Sequence, residues 1–209
     1  MPPDSHSIEE LAKTFKKGAA ALKRAEIPFM LGGGLACWAR GGPETGNDLD
    51  FFVKPDDAER AIDALASSGM RPERPPEDWL LKAWDGDVLV DVIFHPLGME
   101  ITDEALARAE YLNVEAIWTP VMPLDDVITT KLNALNEHFL NYEGLLGIAR
   151  SLREQVDWEQ VRSRTRESPF ARTFFVLLEE LDVVSLAESG RRSGARIKVM
   201  PAPAAGAAG

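Results

Sequence analysis

Cysteine is all but missing from this 209-residue chain, with Cys37 alone, and that excludes an intrachain disulfide framework or a cysteine-based zinc site. Long hydrophobic runs are missing too. No apolar stretch reaches the roughly 18 residues of a membrane span, and "MPPDSHSIEE" lacks the charged-then-apolar pattern of a secretion signal. The expectation is a cytoplasmic chain without a membrane partner. Basic residues are in deficit, 23 Lys and Arg against 34 Asp and Glu, for a net charge of −11. That balance speaks against a broad nucleic-acid-binding surface, and either suits a cationic partner or simply keeps the chain soluble. What is present, 45% hydrophobic and 27% charged residues, is the composition of a globular protein able to bury one core, with or without a helical appendage.

The first half of the chain alternates between helical and strand-like patterns. Ile8, Leu11, Phe15, Ala19 and Leu22 recur three or four apart, and Ser7 with Glu10 forms a capping box ahead of them. "IPFML" predicts a buried strand, "LACWAR" a short helix, "GGPETGN" a loop and "DLDFFV" a second strand. Asp56 and Glu59 repeat the capping-box spacing before a helix that Gly69 ends. The prolines of "RPERPPED" predict a loop, and "WLLKAW" and "VLVDVIF" predict a hairpin turning at "DGD". "DEALARAE" predicts a helix, with one or two short strands between Tyr111 and Met122.

After Pro123 the patterns are all helical: "LDDVITTKLNALNEHFL", "YEGLLGIARSLREQ", "DWEQVRSRTR" and "SPFARTFFVLLEEL", with Asp157 and Ser168 as N-caps. The expected organisation is an α/β (α+β) core over residues 1–123 and a helical unit over 124–187. The Pro/Ala/Gly-rich tail, 188–209, is expected to be disordered.

Three aspartates stand out chemically. Asp48 and Asp50, at i and i+2 of a predicted strand, point to one face, where two close carboxylates repel unless a cation or proton relieves them. Asp91 interrupts the apolar run "VLVDVIF", where burial without a partner is costly. Asp91 is either an oddity of an edge strand or a ligand, and with the other two the set fits magnesium, which takes oxygen ligands. Gly33 and Gly34 end the first strand. They make either a tight turn or a place where backbone approaches a phosphate at a helix start. "GGGLAC" lacks the third glycine of a dinucleotide fingerprint, and no G-x-x-x-x-G-K-[ST] occurs.

Gly33-Gly34, a gap of thirteen residues, Asp48-Leu49-Asp50 and a distant Asp91 form a pattern that resembles the nucleotidyltransferase superfamily. That superfamily includes the antibiotic nucleotidyltransferases and the polymerase β-like enzymes. Within it the chain is most similar to small bacterial members with a helical C-terminal part, some of them toxins. The resemblance spans residues 27 to about 140. It implies a mixed sheet with flanking helices followed by a helical bundle, and a catalytic set of Asp48, Asp50 and Asp91. It further implies two Mg²⁺ ions held by these acids and the triphosphate of an NTP such as ATP. Asp91 would help activate an acceptor hydroxyl, which attacks the α-phosphorus as pyrophosphate leaves.

Lys131, in "TTKLNAL", looks like the helical lysine with which this family touches the triphosphate; otherwise it snorkels to the rim of its helix. Lys82 is either a further positive charge near the phosphates or a lysine guarding an edge strand. His138, one heptad after Lys131, and His95 read as structural histidines, with His138 a secondary site candidate. Trp79 and Trp84 either stack on a base or antibiotic ring or pack in the core. Glu44 and Asn47 stand where many relatives carry a basic residue, and Asn141 where many carry an acid. The expected partners are an NTP and a small hydroxylated acceptor such as an aminoglycoside, favoured over tRNA or protein. The competing expectation is a nucleotide-binding or interaction protein without catalysis.

Overall fold

A computed structural model describes residues 7–45 and 48–185. The tail, 188–209, and Asn47 lie outside the described residues. Helix α1 (Ile8–Arg24) carries the expected capping box: Glu10 N donates to Ser7 Oγ, and Ser7 N donates to the Glu10 carboxylate at 2.9 Å. Its apolar face, with Leu11, Phe15 and Leu22 buried, rests against the sheet.

Among the described residues the strands are β1 (Phe29–Leu31), β2 (Asp48–Val53), β3 (Arg71–Glu73), β4 (Leu80–Asp85), β5 (Val88–Ile93), β6 (Glu110–Val114) and β7 (Ile117–Val121). They form one mixed sheet in the order β3-β4-β5-β2-β1-β7-β6. β2 and β5 run parallel, as do β1 and β7, and the other neighbouring pairs are antiparallel. Helices α2 (Gly33–Trp38), α3 (Ala58–Ser67) and α4 (Asp103–Ala107) connect the strands. After Pro123 come α5 (Leu124–Asn133), α6 (Tyr142–Leu152), α7 (Trp158–Arg164) and α8 (Pro169–Glu180). Buried residues from α1, the sheet and these last helices belong to one hydrophobic cluster, in which Leu31, Val121, Leu132 and Phe174 are all fully covered.

Four local expectations are corrected. Asp56 does not cap a helix with Glu59: Pro55–Asp57 is a 3₁₀ turn, and Asp57, which precedes α3, gives its carboxylate to Arg60 instead of to backbone N–H groups. Part of the proline-rich loop is strand β3, at the sheet edge, where the missing N–H of Pro72 is tolerated. α5 stops at Asn133. Asn136 then accepts from His138 N with its side chain and pairs with Phe139 through backbone bonds, so a turn replaces the predicted last helical turn. Finally, neither β4 nor β5 is an edge strand, because β3 covers β4 and β2 covers β5. Lys82 and Asp91 therefore need another explanation than edge protection.

Candidate active site

The hairpin register and the parallel pairing of β2 with β5 place three side chains in one row. Lys82 pairs with Asp91 across β4 and β5, and Asp91 pairs with Asp50 across β5 and β2. Asp48 lies two residues before Asp50 and so shares its face. One carboxylate oxygen from each of Asp48, Asp50 and Asp91 lies within 4.8 Å of the other two. Asp91 is buried, and the other two are half-buried.

This crowding is electrostatically unfavourable for bare carboxylates. Burial, then the charge of Asp48, pushes the pKa of Asp50 up to about 8, while Lys131 and Lys82 pull in the opposite direction. Burial also raises Asp91, although Lys82 Nζ donates to its Oδ1 at 3.0 Å and opposes the shift. Three converging oxygen donors that are only partly balanced by lysines fit a hard divalent cation such as Mg²⁺, which would relieve the repulsion that protonation otherwise has to relieve. Lys82 is thus spoken for by Asp91 in this arrangement.

Gly33 is required twice at this spot. Its φ of +59° favours glycine, and a Cβ there would overlap the Asp50 carboxylate. A Cβ on Gly34 would overlap the Thr45 hydroxyl. The glycine pair therefore lets α2 and its approach loop close onto β2 and its acids.

A cleft of about 600 Å³ opens over the acids, between the sheet on one side and α5, α6 and the α5–α6 connection on the other. Gly33, Asp48, Asp50, Asp91 and Lys131 line its charged end. Lys131 reaches this position because α5 packs on α2 while Val127, Ile128 and Leu132 are buried, which sets the rotation of the helix.

The remaining candidates separate. Trp79 lines the cleft, but Trp84 does not: its Nε1 donates to Glu73 at 2.7 Å, and the Arg71 guanidinium lies 5.5 Å from its ring centroid. His95 is an exposed lining residue beside Phe94 rather than a core histidine. His138 faces solvent, 3.3 Å from Glu137, outside the cleft, because α5 ended before it. Asn141, at the position where an acid was expected, caps α6 by accepting from Gly144 N and also lines the cleft. Leu97, Phe139, Leu145 and Ile148 line it as well. They come from loops and from α6, and no pattern in the sequence ties them to the aspartates.

No family model matches the chain, and no curated protein matches it. Among solved structures, the antibiotic-resistance factor ANT(2'')-Ia in solution superposes with a TM-score of 0.58 at 18% identity, covering 84% of this chain and 98% of that one. The crystal structure of ANT(2'')-Ia in complex with adenylyl-2''-tobramycin gives 0.56 at 18% identity, over 79% and 99%. The chain thus shares the fold of ANT(2'')-Ia, a mixed sheet with flanking helices. No helix among the described residues is long and apolar enough to cross a membrane.

Proposed function

We propose that this chain is a Mg²⁺-dependent nucleotidyltransferase that moves an NMP from an NTP to a hydroxyl of a small acceptor and releases pyrophosphate, acting in the cytoplasm. The observation that carries this reading is the convergence of Asp48, Asp50 and Asp91 within 4.8 Å at the floor of a cleft, on the fold of ANT(2'')-Ia. A binding module has no need of three mutually repelling carboxylates, which cost stability when uncompensated. The neighbour's complex with an adenylylated aminoglycoside makes ATP the first nucleotide to test.

Asp48 and Asp50 would hold the cation, with Asp91 as the remaining ligand. Two Mg²⁺ ions in such a site supply Lewis-acid stabilisation of the charge that builds on the attacking and leaving oxygens. Lys131, which lines the cleft with the acids, would meet triphosphate oxygens, and Gly33, which closes onto Asp50, would let backbone approach them. Asp91 is the acceptor's base: it takes the hydroxyl proton as the acceptor oxygen bonds to the α-phosphorus, and the bond from that phosphorus to pyrophosphate breaks. For that role the Lys82 contact to Asp91 is useful, since it orients the carboxylate on a fixed strand.

Incubation with each α-labelled NTP, Mg²⁺ and a cell extract tests the reading by showing which molecule gains label. Asp50→Asn should abolish that label while the chain still folds. A parent that binds NTP yet labels nothing, with Asp50→Asn leaving the binding unchanged, would establish a nucleotide-binding module instead.

A further inference from the structure

The apolar end of the cleft carries information about the acceptor, and the inference rests on the transferase reading above. Asp91 and Ile93 share one face of β5, and His95, in the bend that follows the strand, lines the same cleft, so the wall that bears the base continues toward this end. The carbonyl of Trp79 accepts from both Phe94 N and His95 N, at 3.1 and 3.2 Å, which fixes Trp79 beside that continuation. A group whose hydroxyl meets Asp91 must therefore rest its body on Trp79, His95 and Leu97, opposite Phe139, Leu145 and Ile148. Lys131 lines the cleft with the acids, and its charge acts on Asp50.

Charge decides what that body is. Among the described lining residues the only carboxylates are Asp48, Asp50 and Asp91, and a bound cation and the acceptor hydroxyl would engage all three. An acceptor carrying several ammonium groups would find no anion at the apolar end. There it would meet only the faces of Trp79 and Phe139 and the neutral amide oxygens of Asn136 and Asn141, none of which is a counter-charge. Removing an ammonium group from water without a counter-charge is strongly unfavourable. Glu77, Asp78 and Glu137 are exposed next to lining residues in sequence, but they do not line the cleft. Apolar rings, by contrast, gain from covering Leu97 and Phe139, which are 61% and 56% exposed and have no partner in the core. Asn136 and Asn141 remain as neutral donors and acceptors for further hydroxyls.

We infer that the acceptor is an uncharged or singly charged hydroxylated molecule with an apolar ring body, seated on Trp79, Leu97 and Phe139, and not a polycation of the aminoglycoside type. This narrows the small-molecule class expected from the sequence.

The test uses the full chain with α-labelled ATP and Mg²⁺, offering phenyl glucoside and other neutral ring-bearing glycosides beside tobramycin as acceptors. The expected result is label on at least one neutral compound at a kcat/KM tenfold or more above that for tobramycin. Trp79→Ala should then raise the KM for that compound about tenfold and leave the KM for ATP within twofold, since Trp79 touches the acceptor end. Transfer to tobramycin at an equal or higher rate overturns the inference. So does a rise in the KM for ATP alone in Trp79→Ala, which would put the nucleobase at this end. Label on none of the acceptors, with Mg²⁺-dependent ATP binding intact, also overturns it and leaves the site's metal chemistry standing. If ATP does not bind at all in Mg²⁺, the transferase reading itself falls, and the inference with it.

Discussion

Replacing Asp50 by asparagine should stabilise the metal-free protein, and increasingly so as the pH rises. In the folded chain Asp50 holds its proton up to about pH 8, against a usual carboxyl value of 3.8, because burial and Asp48 penalise its ionised form. The unfolded chain releases that proton near its ordinary value. The folded state is then the one that binds more protons between the two values. The stability that Asp50 contributes is full below the unfolded value and is lost as pH rises toward the folded one. Between about pH 5 and pH 8 the loss is at most about 4 kcal/mol, from roughly 1.4 kcal/mol per unit. Half-exposure and water penetration reduce this to about 2 kcal/mol. For a chain of this size that is a melting difference of about 4–8 °C. Asp50→Asn, similar in shape and uncharged, escapes the penalty. Thermal denaturation in chelator at the two pH values should show the gap between variant and parent widening toward pH 8. Added Mg²⁺ should then close the gap by raising the parent alone. A gap that stays constant with pH, or a Mg²⁺ shift that is equal in both proteins, would refute the argument that these carboxylates are held in mutual repulsion for a cation.

Other substitutions report on neighbouring parts of the site. Asp91→Asn, like Asp50→Asn, should lower label transfer by several orders of magnitude, with each tenfold worth about 1.4 kcal/mol of barrier, and single-turnover assays would measure it. Lys131→Ala should raise the KM for NTP, and it should also lower kcat if its phosphate contact tightens during transfer; steady-state kinetics separates the two. Gly33→Ala should cost about 1–2 kcal/mol for its left-handed φ, plus the displacement of Asp50, and calorimetry should find weaker Mg²⁺ binding together with the lower melting point. Lys82→Met should destabilise the metal-free chain by about 1–3 kcal/mol, because Asp91 loses the lysine 3.0 Å away, and saturating Mg²⁺ should recover most of that loss in denaturant titrations.

What the sequence disclosed depended on how local its cause was. Asp91 was legible because a carboxylate inside "VLVDVIF" violates the burial rule, and Asp48 with Asp50 because strand periodicity alone puts them on one face. The capping box at Ser7, the Gly86 hairpin and the Ser168 cap were legible for the same local reasons. Lys82 was visible as a charge but not as the partner of Asp91, since that depends on β4–β5 register and on β3 covering what looked like an edge. The glycine pair drew notice as a turn, yet the demand on Gly33 comes from a side chain seventeen residues away. His138 was placed one heptad beyond Lys131 on a helix that a single asparagine turn cuts short. The apolar end of the cleft, from Leu97 to Ile148, left no trace in the sequence, because loops from distant segments assemble it.

The two-residue turn at Gly86 and Asp87 sits in the open, at the far end of the β4–β5 hairpin from Trp79. Its geometry nonetheless counts the residues that separate Lys82 from Asp91. One residue added or lost in that turn, absorbed by sliding β4, would turn Lys82 to the opposite face of the sheet and put Leu81 or Ala83 beside the aspartate. Asp48, Asp50 and Asp91 would keep their places, because the parallel pairing of β2 with β5 does not pass through the turn. An insertion that looks harmless on the surface would thereby remove the lysine that partners Asp91 and leave the acids intact. Sequence drift in an exposed loop is one way such a protein can retune the charge balance of its three acids without altering any of them.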